Sequence, residues 1–287
     1  MFRVLSLASV AALVLVAPVE AKRVMRLFTP IEKLVRADVV AVGKVTALEK
    51  DTVTVTATPT PDAPDKLTYK IAVLKVEDGL YGAANITHVK IGFIPPAPVD
   101  PAAAPVRPGR GGLQQVNLTV GLEGLFYLTK HHSGEFYIIN PLMAPEGGDK
   151  DQIALVKKGA AVLADPTKAL KAEKAEDRFF AANVLVTKYR TYPEGGGEVE
   201  NVKVSAAESK LILKALSEGN WKSDPKAPQA PNAYQSFSQL GLTDKDGWAP
   251  PAVKPGEDFI DKNKEAFAAW LAGAGKDYQI EKMVKKK

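Results

Sequence analysis

The sequence predicts an α+β fold, a small antiparallel β-barrel or sandwich followed by a small α-helical domain. Three observations carry that reading. From Ala37 to Pro141 the apolar residues fall in short β-branched or aromatic runs broken by Gly, Pro and Asp, the pattern of strands and turns. After Pro141 the apolar spacing changes from two to three or four, which is the helical period. The chain has 287 residues, 46% hydrophobic and 25% charged, a globular balance long enough to bury a core.

The first 21 residues, Met1 to Ala21, read as a secretory signal. Arg3 supplies the positive start, Val4 to Ala17 is apolar and uncharged, and Pro18 breaks the run before Val19-Glu20-Ala21. The run is shorter than the ~20 residues a bilayer span needs. Cleavage after Ala21 is expected, giving a secreted or periplasmic protein with no stable membrane span; the alternative is an uncleaved anchor. Residues 22–145 then form the barrel domain and 146–287 the helical domain with a basic C-terminal tail.

Thr29-Pro30-Ile31-Glu32 is a helix start, since Thr29 can cap, Pro30 suits the first turn and Glu32 completes a capping box. Val39 to Glu49 is a strand, nearly all apolar at first. Its Gly43 marks a bulge or sharp bend. Lys50-Asp51 is expected to turn the chain into Thr52–Thr56, with valines inward and threonines outward. Thr58 to Lys66 is a loop. Leu67 to Asp78 is the next strand, with a change of phase that suggests a bulge. Asp78-Gly79 should turn the chain into Ile86–Phe93. Residues 95–112 form a Pro- and Ala-rich insert with Arg107 and Arg110, expected to be disordered. Alternation resumes at Val116, Leu118 and Val120. Gly124–Lys130 and Glu135–Asn140 read as a hairpin across His131-His132-Ser133-Gly134.

Helices follow at Gln152–Leu163, stopped by Asp165-Pro166, and at Glu173–Tyr189. Ser205 caps a third, with Glu208 in the capping-box position. Asn232–Leu240 and Asp258–Ala272 are two more, and Tyr278–Val284 is a short final strand. Trp221 and Trp248 flank proline loops, so one of them is placed at the seam between the halves.

The segments "ADVVAVGKV", "YKIAVLKVEDGLYG" and "LTVGLEGLFYL" of Ala37–Pro141 resemble the NTR/TIMP-like group of OB-fold domains of exported proteins. The helical half is similar only to uncharacterised exported bacterial proteins of the same layout. The resemblance implies an N-terminal OB-like antiparallel β-barrel with a helix at one end, and binding of proteins or polymers. In the metalloproteinase inhibitors of that group a disulfide-tethered N-terminal cysteine chelates the target's zinc. This chain has no cysteine, so that mechanism does not carry over.

The absence of cysteine also excludes disulfides, thiolate metal sites and cysteine nucleophiles. Three histidines make a transition-metal site a poor expectation. His131 and His132 are adjacent and read as two exposed turn residues pointing to opposite faces. His88 is expected on the solvent face of its strand. Asp244-Lys245-Asp246-Gly247 lacks the spacing of a calcium loop and reads as a turn. No Gly-x-Ser-x-Gly elbow is present, and Gly109–Gly112 opens no helix. No catalytic residue, cofactor or metal is assigned. A net charge of +5 suggests weak attraction to polyanions at most, and no nucleic-acid partner is expected. Arg107 and Arg110 are the candidate ligand contacts, toward an acidic polymer.

These readings make the chain an exported, non-catalytic binding or structural module for a protein or an anionic envelope polymer. The alternatives are a hydrolase with an unrecognised site and a protease inhibitor acting through a loop.

Overall fold

The structure, a computed structural model, describes residues 28–57, 65–95, 116–194, 197–224 and 231–286. The segment expected to be a signal, nearly all of the Pro-rich insert and both candidate arginines, Arg107 and Arg110, lie outside the described residues.

The chain is mixed α+β, with five paired strands ahead of most of the helices. Helix α1 (Pro30–Arg36) starts as its sequence dictates: the Thr29 hydroxyl accepts from Glu32 N–H, and Thr29 N–H donates to the Glu32 carboxylate at 2.8 Å. Strands β1 (Val39–Thr56), β2 (Lys66–Tyr81), β3 (His88–Phe93), β4 (Glu123–Lys130) and β5 (Tyr137–Ile138) follow. β1 pairs antiparallel with both β2 and β4, β2 with β3, and β4 with β5, while β3 and β5 run parallel. The order β1-β2-β3-β5-β4 therefore returns to β1.

Three expected turns or strands are corrected. Lys50-Asp51 does not turn the chain; β1 runs through it as one strand of 18 residues. Leu48 pairs with Ala72 and Thr52 with Lys70, so Glu49, Lys50 and Asp51 stand opposite Ile71 alone. Neither residue brings the positive φ that a two-residue hairpin needs, so the extra residues become a bulge. Asp78-Gly79 also stays in strand, paired with Val42 and Ala41. The chain turns instead at Gly82 and Asn85, both with φ 63°. Val116–Val120 forms no strand; Leu118 is buried but Val120 is exposed. Gly43 sits at a register shift as expected, and a Cβ there would lie 2.4 Å from the Lys75 carbonyl.

The second half holds α2 (Lys150–Ala164), α3 (Pro166–Leu170), α4 (Ala175–Arg190), α5 (Ala206–Glu218), α6 (Ala233–Leu240) and α7 (Phe259–Ala272). β6 (Val199–Lys203) pairs antiparallel with β7 (Glu281–Lys285). Asp165 caps α3, and Pro166 both ends α2 and opens α3. α4 is the central helix, buried from Ala181 to Thr187 and packed against α1, α2, α3, α5 and α6.

One apolar cluster joins the halves. It runs from Ile31, Leu34 and Val35 of α1 through Val40, Leu125 and Tyr127 of the sheet to Val156, Val184, Ile212 and Phe267 of the helices. A second covers the inner face of the sheet, including Leu74, Ile91, Phe126 and Leu128. A third, Tyr69, Ile71 and Phe136, lies on the outer face. Among the described residues neither Trp221 nor Trp248 seals the seam through ring contacts, which are with Tyr234, Phe237, Phe267 and Trp270, all in the helical half. At the seam, buried Lys33 of α1 pairs instead with Glu146, which also accepts from the Gln152 amide.

Candidate functional site

The outer face of β2 and β3 gathers the chemistry of the first half. Strand alternation places Ala72 and Leu74 on the inner cluster and Tyr69 and Ile71 on the opposite face. On β3, Gly92 faces outward between Ile91 and Phe93. The loop after β4 folds back across this bare position. A Cβ on Gly92 would lie 2.4 Å from the Phe136 ring, so only glycine admits that ring. Phe136 packs 5.1 Å from Tyr69, centroid to centroid, and 4.6 Å from His131, nearly parallel to it.

His131 is therefore buried, at 4% exposure, and not an exposed turn residue. The physical reason is the local chain path. His131 N–H donates to the Phe136 carbonyl and Gly134 N–H to the His131 carbonyl, so the backbone is a tight turn rather than a strand. Opposite-face alternation does not hold in a turn, and the two histidine rings lie 4.0 Å apart. Ser133 N–H donates to His131 Nδ1 at 3.2 Å. Nδ1 is thus an acceptor and the ring proton sits on Nε2. Burial holds the His131 pKa below the usual histidine value, the neighbouring His132 lowers it further, and Glu135 opposes both. His132 stays exposed and meets the Thr56 hydroxyl at 3.1 Å. His88 is exposed as expected, beside Thr87.

Next to this aromatic group a cavity of ≈ 520 Å³ opens on the same face. Its walls are largely apolar, with Tyr69, Phe93, Ile94, Ile138 and Pro141. Asn140 supplies polar atoms, and Glu194 is the one charged residue among the described lining residues. Glu194 is already held by Arg36 at 3.2 Å and by the Asn140 amide at 3.5 Å.

The Asp244–Asp246 segment is a 3₁₀ turn capped by Thr243, whose N–H and hydroxyl both reach the Asp246 carboxylate at 2.9 Å. Among the described residues no group of three or more His, Cys, Asp or Glu side chains could hold a metal ion, and no helix is long and apolar enough to cross a membrane. The outer-face cluster escaped sequence reasoning because it joins a strand glycine to a loop phenylalanine far along the chain. The one signal was "HHSGEF", a turn with an aromatic residue on its far side.

No model of a known family, no curated protein and no solved structure matches the chain.

Proposed function

We propose that the protein is an exported, non-catalytic binding module. Its first half is an OB-like barrel of the NTR/TIMP-like kind, and the outer groove of β2, β3 and β5 takes an extended segment of a protein partner. The barrel reading is supported by five strands whose order returns to the first, with long bulged strands of the sort closure requires. Binding along the second and third strands is a known use of such barrels.

The observation that carries the ligand class is the lining of the groove. Apolar walls with a few polar atoms suit the side chains of an extended peptide. A carbohydrate polymer would want open aromatic platforms, and Tyr69 is 92% covered, its relative exposure being 8%. An anionic polymer would want cations, and the one charge among the groove's described lining residues is a carboxylate. Export rests on the Met1–Ala21 segment, and N-terminal sequencing of the mature protein should begin at Lys22.

The test is panning of a random linear peptide library against the full chain. Apolar consensus peptides should be enriched, and Ile138→Asp should weaken them at least tenfold. No enrichment, or enrichment indifferent to Ile138→Asp, overturns the reading.

A further inference from the structure

A second cavity, of ≈ 160 Å³, lies where α1, β4, α4 and β7 meet. We propose that it is a binding site for a small tetrahedral oxyanion, phosphate or a terminal phosphoryl group, held by Lys188, Arg36 and Thr129.

The first support is unspent donor capacity in a buried place. Lys188 Nζ donates to the Val35 carbonyl at 2.7 Å, which uses one of its three N–H groups. It has no ion-pair partner among the described residues. Arg36 donates through Nη1 to Glu194, yet its Nε is buried without a partner. The Thr129 hydroxyl, on a residue only 5% exposed, is likewise buried and unpartnered. Buried polar atoms are nearly always paired, so two unpaired ones on residues that line one cavity point to a missing acceptor.

The second support is charge balance. Among the described residues four cations line the cavity, Arg36, Lys130, Lys188 and Lys285, against two carboxylates. Both carboxylates are occupied: Asp38 accepts the Lys130 backbone N–H at 2.7 Å, and Glu194 is held by Arg36 and Asn140. Burial lowers the Lys188 pKa, with Asp38 only partly compensating. An anion in the cavity would reverse that shift. The donors arrive from separate elements and so from different directions, which suits a tetrahedral acceptor better than a planar carboxylate. The volume admits one such group and excludes a folded partner.

The cavity shares Thr129 and Glu194 with the peptide groove, but Lys188 and its other cations line the cavity alone. Its test is calorimetric titration of the full chain at constant ionic strength with inorganic phosphate and, in parallel, with glycerol 3-phosphate. One saturable site is expected for at least one of them, weakened tenfold or more by Lys188→Met. Tighter phosphate binding assigns the free ion, and tighter glycerol phosphate binding assigns a phosphoryl group on a larger molecule. Thr129→Val keeps the side-chain shape and serves if Lys188→Met does not fold; a threefold or greater loss is expected. Absence of a saturable site for both probes, or wild-type affinity in the folded variants, overturns the proposal.

Discussion

Gly92 and His131 show how single residues set the outer face. Gly92 is demanded by contact, because Phe136 occupies the space a side chain would take. Gly92→Ala should push that ring outward and cost about 1–3 kcal/mol, as overpacking of a tight site does. The urea midpoint of the variant measures it, and an unchanged midpoint would mean the ring moves freely. His131 gives a pH signature. Its folded pKa lies below the unfolded value of about 6.5, because the buried ring disfavours charge. Above pH ~6.5 both states are neutral and nothing is lost. As pH falls below that value, the unfolded chain takes up the proton first, so stability drops until the folded ring titrates as well. Melting temperature should therefore fall between pH 7 and pH 5.5, and His131→Leu should flatten that fall. A slope identical in the variant would assign it to other groups. Neither residue announces itself in the sequence. A glycine in a strand is compatible with a bend, a bulge or a close contact, and only the return of the 131–136 loop decides which.

The elements divide by how local their causes are. Caps were legible because the groups involved lie three residues apart: Thr29 with Glu32, and Ser205 with Glu208. The β1 bulge opposite Ile71 was not, because it depends on which partner strand the segment meets. Helix α3 is hidden for a related reason, since a proline after a helix is equally a stop and a first-turn residue, and Pro166 is both. The β6–β7 pair joins segments far apart in the chain, and the sequence points only to its second strand, at Tyr278–Val284. Packing between elements has its own test at Gly159. This residue lies on the buried face of α2, where a Cβ would come within 2.7 Å of Leu34 and 2.9 Å of Ile31. α1 and α2 approach there because one of them has no side chain. Gly159→Val should force them apart and lower stability by about 1–3 kcal/mol, against any gain in helix propensity over glycine. A urea titration followed by circular dichroism would show it; a stabilised variant would mean the helices can shift at no cost.

At the scale of the whole molecule, the question is whether the sheet and the helices unfold together. Their shared apolar cluster argues that they do. Leu34 is fully buried in it, on a helix that contacts α2, α4 and β4. The chain offers a convenient pair of probes. All three tryptophans, Trp221, Trp248 and Trp270, are buried in the helical half, so their fluorescence reports on the helices alone. Far-ultraviolet circular dichroism reports on strands and helices at once. Coincident denaturation curves from the two probes are the signature of one cooperative unit. Leu34→Ala removes buried apolar volume from the joint, and should cost about 2–5 kcal/mol. Because the cluster is continuous, the two curves should move together to lower denaturant in that variant. If the seam were instead a loose contact between independent bodies, the substitution would leave tryptophan fluorescence unchanged while the dichroism curve split into two steps. That outcome would remove the basis for treating the cavity between α1, β4, α4 and β7 as a fixed geometry, since its donors come from both sides of the same joint.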